Sequence, residues 1–260
     1  MTRVGWAHMK SVDPKPMRTI AETAAYDGVV EVFEASPDPT AVRLDNFPKY
    51  IRRQSLTRFL VLYELFKRVL DVKGSIIECG VNRGFGLMSW AKLSAVLEPV
   101  NLTRRIYGFD TFSGFPAIHE KDSVHFDEFR VAEPGGLGAS SLSELTRLLE
   151  LYDQDRFLGH MSKVELIAGD ALQTIPQFMR ERPHLVVSLL FLDFDLYEPT
   201  RAAIEAFVPR MPRGSLIAFD ELDNPKWPGE TTALVEGLGI GKLELRRLEF
   251  DPYVAFATIP

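Results

Sequence analysis

The stretch SIIECGVNRGFG, residues 75–86, decides the reading of the fold. Ser75 to Cys79 is a short apolar run bounded by Gly74 and Gly80, the pattern of a buried strand. Glycines then follow, Gly80 and Gly84 ahead of an apolar helical pattern running from Phe85 to Leu97, and Gly86 in its first turn. Glycine lets the backbone turn sharply and approach a ligand closely. The helix start adds free N–H groups. A strand, a glycine turn and a helix in this order make a ligand-binding corner of an α/β sheet.

Outward from this corner, helix and strand patterns alternate. Upstream, Leu56, Phe59, Leu60, Tyr63, Phe66 and Leu70 fall at helical spacing, which predicts an amphipathic helix over 49–70. Downstream, strands are expected at 105–110, 164–170, 185–193 and 215–221, with helices at 141–152, 171–180, 198–210 and 231–238. Ser141, three residues before Glu144, reads as an N-cap with a capping box. Two strand patterns, 243–250 and 253–259, close the chain around Asp251-Pro252 and should pair antiparallel. The expected fold is α/β: a doubly wound, mostly parallel seven-stranded sheet with helices on both faces and a C-terminal antiparallel hairpin. Residues 1–50, punctuated by Pro14, Pro16, Pro37, Pro39 and Pro48, read as an extension of short helices and loops. Residues 51–260 form the main domain, and 111–139 is a long loop read as a lid.

Composition narrows the function. Of the 260 residues, 46% are hydrophobic and 25% charged, as in a soluble globular protein. The net charge of −6 gives no general attraction to nucleic acid or to an anionic membrane, although Arg52, Arg53 and Arg58 together suggest a local basic patch. Cys79 is the only cysteine, which excludes an internal disulfide and a Cys-rich zinc site. No apolar run reaches the ~20 residues that cross a bilayer, and no signal peptide opens the chain, so a cytoplasmic protein is expected.

Ligands of open α/β sheets bind at the carboxyl ends of the strands. Here the first strand carries Glu78 and runs into Gly80, Asn82 and Gly84. The second ends at Asp110, followed by Thr111 and Phe112, and the third at Gly169, Asp170 and Ala171. The fourth ends at Asp193 and the fifth at Asp220 and Glu221. Carboxylates suit hydrogen-bond donors such as ribose hydroxyls and an α-amino group, and suit phosphates poorly. No G-x-x-x-x-G-K-[ST] loop occurs.

The chain resembles class I methyltransferases, and more closely the macrocin O-methyltransferase family, which methylates sugar hydroxyls of natural products. ECGVNRG (78–84), YGFDTFSGFP (107–116), GDALQTIP (169–176), FLDFDLYEPT (191–200) and AFDE (218–221) carry the resemblance, over roughly residues 50–235. It implies an S-adenosylmethionine-dependent O-methyltransferase. Glu78, Gly80, Asn82 and Gly84 would border the methionine part of the cofactor. Asp110, with Thr111 and Phe112, would hold the ribose, and Gly169, Asp170 and Ala171 the adenine. Asp193, Asp220 and Glu221 would hold Mg²⁺, with Asp193 also meeting the cofactor. Asp193 is the candidate general base, with metal-bound activation of the hydroxyl as the competing account. Three departures stand out: Asn82 replaces a glycine, Phe194 sits between Asp193 and Asp195, and Glu221 replaces an aspartate.

A hard-oxygen site of this kind suits Mg²⁺, and a vicinal diol could replace two of its waters. The expected partner is therefore a small-molecule acceptor, a sugar or other diol-bearing metabolite, with no nucleic acid and no membrane; a homo-oligomer is expected. Other readings stay open at this point. They are a catechol- or phenol-type O-methyltransferase, a cofactor-binding domain without catalysis, and a nicotinamide dehydrogenase, which would want G-x-G-x-x-G. Asp195 and Asp223 are alternatively helix caps. His119 and His125 are candidates for base or substrate contact, and Tyr197 and Trp227 for the acceptor pocket. Trp6, Trp90 and Cys79 read as packing residues.

Overall fold

The computed structural model describes residues 19–122, 135–138 and 141–260. Trp6 and His125 lie outside the described residues, as do 123–134 and 139 of the loop read as a lid. The chain divides into two compact units between Leu56 and Thr57. In the first, α1 (Ile20–Ala35) starts with a full capping box between Thr19 and Glu22. Its 16 residues exceed the short helices that the prolines suggested. Short α2 (Thr40–Asp45) follows; Arg43 lies over the Phe33 ring and donates to the Phe33 carbonyl.

The second unit is the sheet domain. After α3 (Arg53–Lys67) come β1 (Ser75–Cys79), α4 (Phe85–Leu97), β2 (Ile106–Asp110), α5 (Leu142–Asp155), β3 (Val164–Ala168) and α6 (Ala171–Glu181). Then follow β4 (Val187–Leu192), α7 (Tyr197–Phe207), β5 (Leu216–Phe219), α8 (Pro228–Gly237), β6 (Arg246–Arg247) and β7 (Ala255–Thr258). The seven strands lie in the order β3-β2-β1-β4-β5-β7-β6. β1 to β5 run parallel, and β7 is antiparallel to both β5 and β6. The closing hairpin thus inserts its second strand between β5 and β6, and β6 pairs over two residues only.

Strand side chains alternate between two cores. Ile76, Leu189 and Phe191 join one with Phe66 and Trp90. Ile77, Leu190 and Leu192 join the other with Phe178 and Phe207. A parallel strand covered on both faces is apolar throughout, which is why β4 is buried along its whole length. Cys79 and Trp90 are both fully buried, as their reading as packing residues requires.

One expected cap is absent. The Ser141 hydroxyl makes no bond to the start of α5; it donates to the Asn82 carbonyl at 2.5 Å. The turn after β1 claims the hydroxyl that the capping box would have used. Asp195 and Asp223 cap no helix either: Leu196 and Trp227 precede α7 and α8, and both aspartates have positive φ, 63° and 61°.

Below the sheet, buried Arg104 ties α3's exit to β1 and β4. Its Nε donates to Glu98 Oε2 at 3.0 Å, and its Nη2 to the carbonyls of Val69 and Val72 at 2.7 and 3.1 Å. Its Nη1 reaches the Gly74 carbonyl at 3.2 Å and the Ser188 hydroxyl. Removing one partner of a buried ion pair strands the other without water. Arg104→Met is therefore expected to destabilise the domain by about 3–5 kcal/mol, read as a lower urea midpoint with an unchanged slope.

Candidate active site

The strand order reverses between β1 and β4, and there the parallel strands are stitched beyond their ends. The Gly80 N–H donates to the Phe109 carbonyl at 2.9 Å, and the Asp193 N–H to Cys79 at 2.8 Å. Gly169 N–H reaches the Asp110 carbonyl at 2.9 Å, and Asp220 N–H the Leu192 carbonyl at 3.0 Å. These four bonds set the strand-end residues side by side along the carboxyl edge. Gly80 has φ +96°, and a Cβ there would lie 1.9 Å from the Asp193 carbonyl oxygen. Only glycine lets β1 and β4 exit this close together.

A cavity opens at this edge. Of the expected cofactor residues it is lined by Gly80, Asn82, Asp110, Thr111, Gly169, Asp170, Ala171 and Asp193. Asp110 Oδ2 accepts from the N–H groups of Val81 and Asn82 at 2.8 and 2.7 Å, and Oδ1 from Phe112 N–H at 2.7 Å. Of the roughly four lone-pair directions of a carboxylate, these bonds leave one, on Oδ1, for a ligand hydroxyl. Asp170 caps α6, its carboxylate accepting from Leu172 N–H at 2.9 Å.

Three expected cofactor residues stand behind the cavity wall. Gly84 caps α4 in the left-handed conformation, and a Cβ there would strike the Leu145 side chain. Phe112 is buried in the core, and its main chain serves Asp110. Glu78 is buried against Gly86, where a Cβ would lie 1.9 Å from its Oε1. Its Oε2 has no hydrogen-bond partner, and burial pushes its carboxyl well up.

The expected metal residues meet a cation of the protein's own. Arg58, on α3, spans two of them: Nη2 donates to Asp193 Oδ2 at 2.9 Å, and Nη1 to Asp220 Oδ1. The guanidinium also lies over Phe191, 5.0 Å from the ring centroid. Arg58 is thus committed to this pair instead of to a basic surface patch. Among the described residues no three His, Cys, Asp or Glu side chains converge as metal ligands. The donor chemistry nevertheless fits a hard cation. Burial, then carboxylate neighbours, push the carboxyls of Asp193, Asp195, Glu221 and Glu230 up, Glu221 to about 7, and Arg58 opposes the shift at the first three. Glu230 Oε1 accepts from Glu221 N–H at 3.0 Å, while its buried Oε2 has no partner.

The cavity is also lined by residues that the sequence left unassigned, Phe115, Asp122 and Leu137, beside Phe194 and His119. Tyr197 and Trp227 do not line it: the Tyr197 hydroxyl joins Glu236 at 2.6 Å and Lys121 at 3.0 Å, and Trp227 backs Phe115 edge-on. Asp122 and Arg58 carried no motif, since each acts on residues more than 70 positions away.

Comparison with known proteins agrees with this architecture. Residues 56–231 match the macrocin O-methyltransferase (TylF) family. The 8-demethyl-8-(2,3-dimethoxy-α-L-rhamnosyl)-tetracenomycin-C 4′-O-methyltransferase of Streptomyces olivaceus is 30% identical over 208 residues, 77% of this chain and 71% of that protein. The calicheamicin methyltransferase CalS11 superimposes with a TM-score of 0.88 at 38% identity, covering 93% of each chain. Apo CalS11, described as a TDP-rhamnose 3′-O-methyltransferase, superimposes at 0.80, again 38% identical, over 93% of this chain and 95% of that one. The seven-stranded sheet with its reversed strand, the cavity at the carboxyl edge and these matches together make the chain an S-adenosylmethionine-dependent methyltransferase belonging to the macrocin O-methyltransferase family.

Proposed function

We propose that this chain methylates a hydroxyl of a rhamnose-like sugar, carried on a nucleotide or on a natural-product glycoside, with Mg²⁺ assisting. The observation that carries this reading is Asp193: it shares one cavity with the cofactor cradle, at the strand reversal. The sugar-modifying relatives supply the acceptor class.

Bound S-adenosylmethionine supplies an electrophilic methyl group, so the chain's main task is alignment. Gly80 and Asn82 border the methionine part and Asp110 offers its remaining lone pair to a ribose hydroxyl. Gly169, Asp170 and Ala171 flank the adenine. Thr111 holds the cavity's floor by donating to the Gly114 carbonyl at 2.6 Å.

Asp193 accepts the proton of the attacking hydroxyl. A carboxyl pushed up by burial and by Asp220 is a better proton acceptor near neutrality than an ordinary aspartate. Asp193, Asp220 and Glu221 would hold Mg²⁺, which when bound lowers the pKa of a coordinated hydroxyl. Arg58 has to release both aspartates for this, and the excess of carboxylates on the edge favours the exchange.

Three outcomes test the reading. Asp110→Asn removes acceptor sites from the turn and is expected to weaken S-adenosylmethionine binding about tenfold or more by calorimetry; unchanged affinity would sink the assigned cradle. Asp193→Asn is expected to lower kcat about 100-fold or more on TDP-rhamnose while leaving cofactor affinity within about threefold. Stripping divalent metal with a chelator should abolish turnover, and Mg²⁺ should restore it. Full activity in chelator would remove the metal from the proposal and leave methyl transfer standing.

A further inference from the structure

We infer that His119 is a fixed hydrogen-bond donor to the acceptor, a specificity-determining residue and not the base of the reaction. The inference rests on the sugar-acceptor reading above.

His119 lines the cavity together with Asp193. The Lys121 main-chain N–H donates to His119 Nδ1 at 3.1 Å. A main-chain N–H can only donate, so Nδ1 presents its lone pair and the proton of the neutral ring sits on Nε2. Among the described residues Nε2 has no partner. The ring nitrogen left for a ligand therefore carries a hydrogen. Proton uptake at Nδ1 would break the Lys121 bond, and Nε2 is already protonated. Both routes to a general base are closed.

The ring is held in place from several sides. It packs on Tyr197, with centroids 5.0 Å apart. The His119 N–H donates to Asp122 Oδ2 at 3.1 Å, and the Asp122 N–H returns a bond to the His119 carbonyl at 3.0 Å. Asp122 Oδ1 in turn accepts from Tyr197 N–H at 2.7 Å, at the start of α7. Gly229 leaves room for that oxygen, since a Cβ there would lie 1.9 Å from it. The turn bearing His119 is thus anchored to α7 and α8 through a buried carboxylate.

A fixed N–H in this wall suits an oxygen acceptor: a sugar hydroxyl, a ring oxygen or a phosphate oxygen.

Kinetics of His119→Ala and His119→Gln on TDP-rhamnose test the role. Loss of one neutral hydrogen bond is expected to raise KM about 3- to 10-fold, with kcat within about threefold. Cofactor affinity and the acidic limb of the pH–rate profile should not move. His119→Gln, which keeps an N–H donor, should recover most of the KM. A second arm needs no acceptor: the ¹⁵N histidine spectrum of the unmodified protein near pH 7.5, assigned through His119→Ala, should show the Nε2-protonated neutral tautomer. An unchanged KM, a large kcat loss with disappearance of the acidic limb, or an Nδ1-protonated or imidazolium ring each overturns the inference. Failure of the unmodified enzyme to methylate TDP-rhamnose would instead overturn the acceptor class, with His119 still judged by its spectrum.

Discussion

Three main-chain N–H groups, those of Val81, Asn82 and Phe112, converge on the carboxylate of Asp110. The carboxyl edge depends on this junction, because it ties the exit of β1 to the exit of β2. Asn82 and Phe112 both adopt positive φ, 49° and 55°. Each such residue costs about 1–3 kcal/mol. A hydrogen bond to a charged acceptor returns about 1.5–3 kcal/mol, and there are three. These three bonds are therefore strong enough to hold the turn in a conformation that the chain alone would avoid. The Ser141 hydroxyl adds a bond to the Asn82 carbonyl, so the turn is fixed through its donors and its acceptor.

The next strand ends pose the opposite problem. Parallel strands bring Asp193 and Asp220 to one edge, with Asp195, Glu221 and Glu230 close behind, and burial magnifies their repulsion. Arg58 answers with a planar fork that reaches both aspartates, supported on the face of Phe191. Its own ionisation is held up by these carboxylates in spite of burial. One guanidinium does not neutralise the group, and raised carboxyls remain around it. The same imbalance underlies both parts of the proposed chemistry, proton acceptance by Asp193 and a divalent cation at this edge.

Much of this was legible in the sequence because it is local. Strand ends can be read from apolar periodicity, and glycines and carboxylates then mark the edge without knowledge of the strand order. The reversed closing strand followed from two strand patterns joined by Asp251-Pro252. Readings failed where a distant group competed for a local one. Ser141 has the spacing of a capping box, yet Asn82, 59 positions away, takes its hydroxyl. Arg58 looked like part of a basic patch, because helical spacing cannot reveal two aspartates 135 and 162 positions downstream. Gly84 and Phe112 lie in the right motifs but serve the turn through packing and main chain, which sequence does not separate from ligand contact.

The two halves of the cavity are built from different materials, and that difference explains why the cofactor was easier to read than the acceptor. The half proposed for the cofactor is largely backbone: glycines at forced φ, N–H groups on Asp110, and the capped start of α6. Such a surface demands particular residue types at particular spacings and so leaves a motif. The half proposed for the acceptor is lined by side chains, His119, Phe115, Leu137 and Phe194, with the turn of His119 anchored through Asp122. Such side chains can change one at a time without disturbing the backbone beneath them. Acceptor choice is therefore free to vary across one cofactor scaffold, and it must be read from the geometry of this wall in each chain.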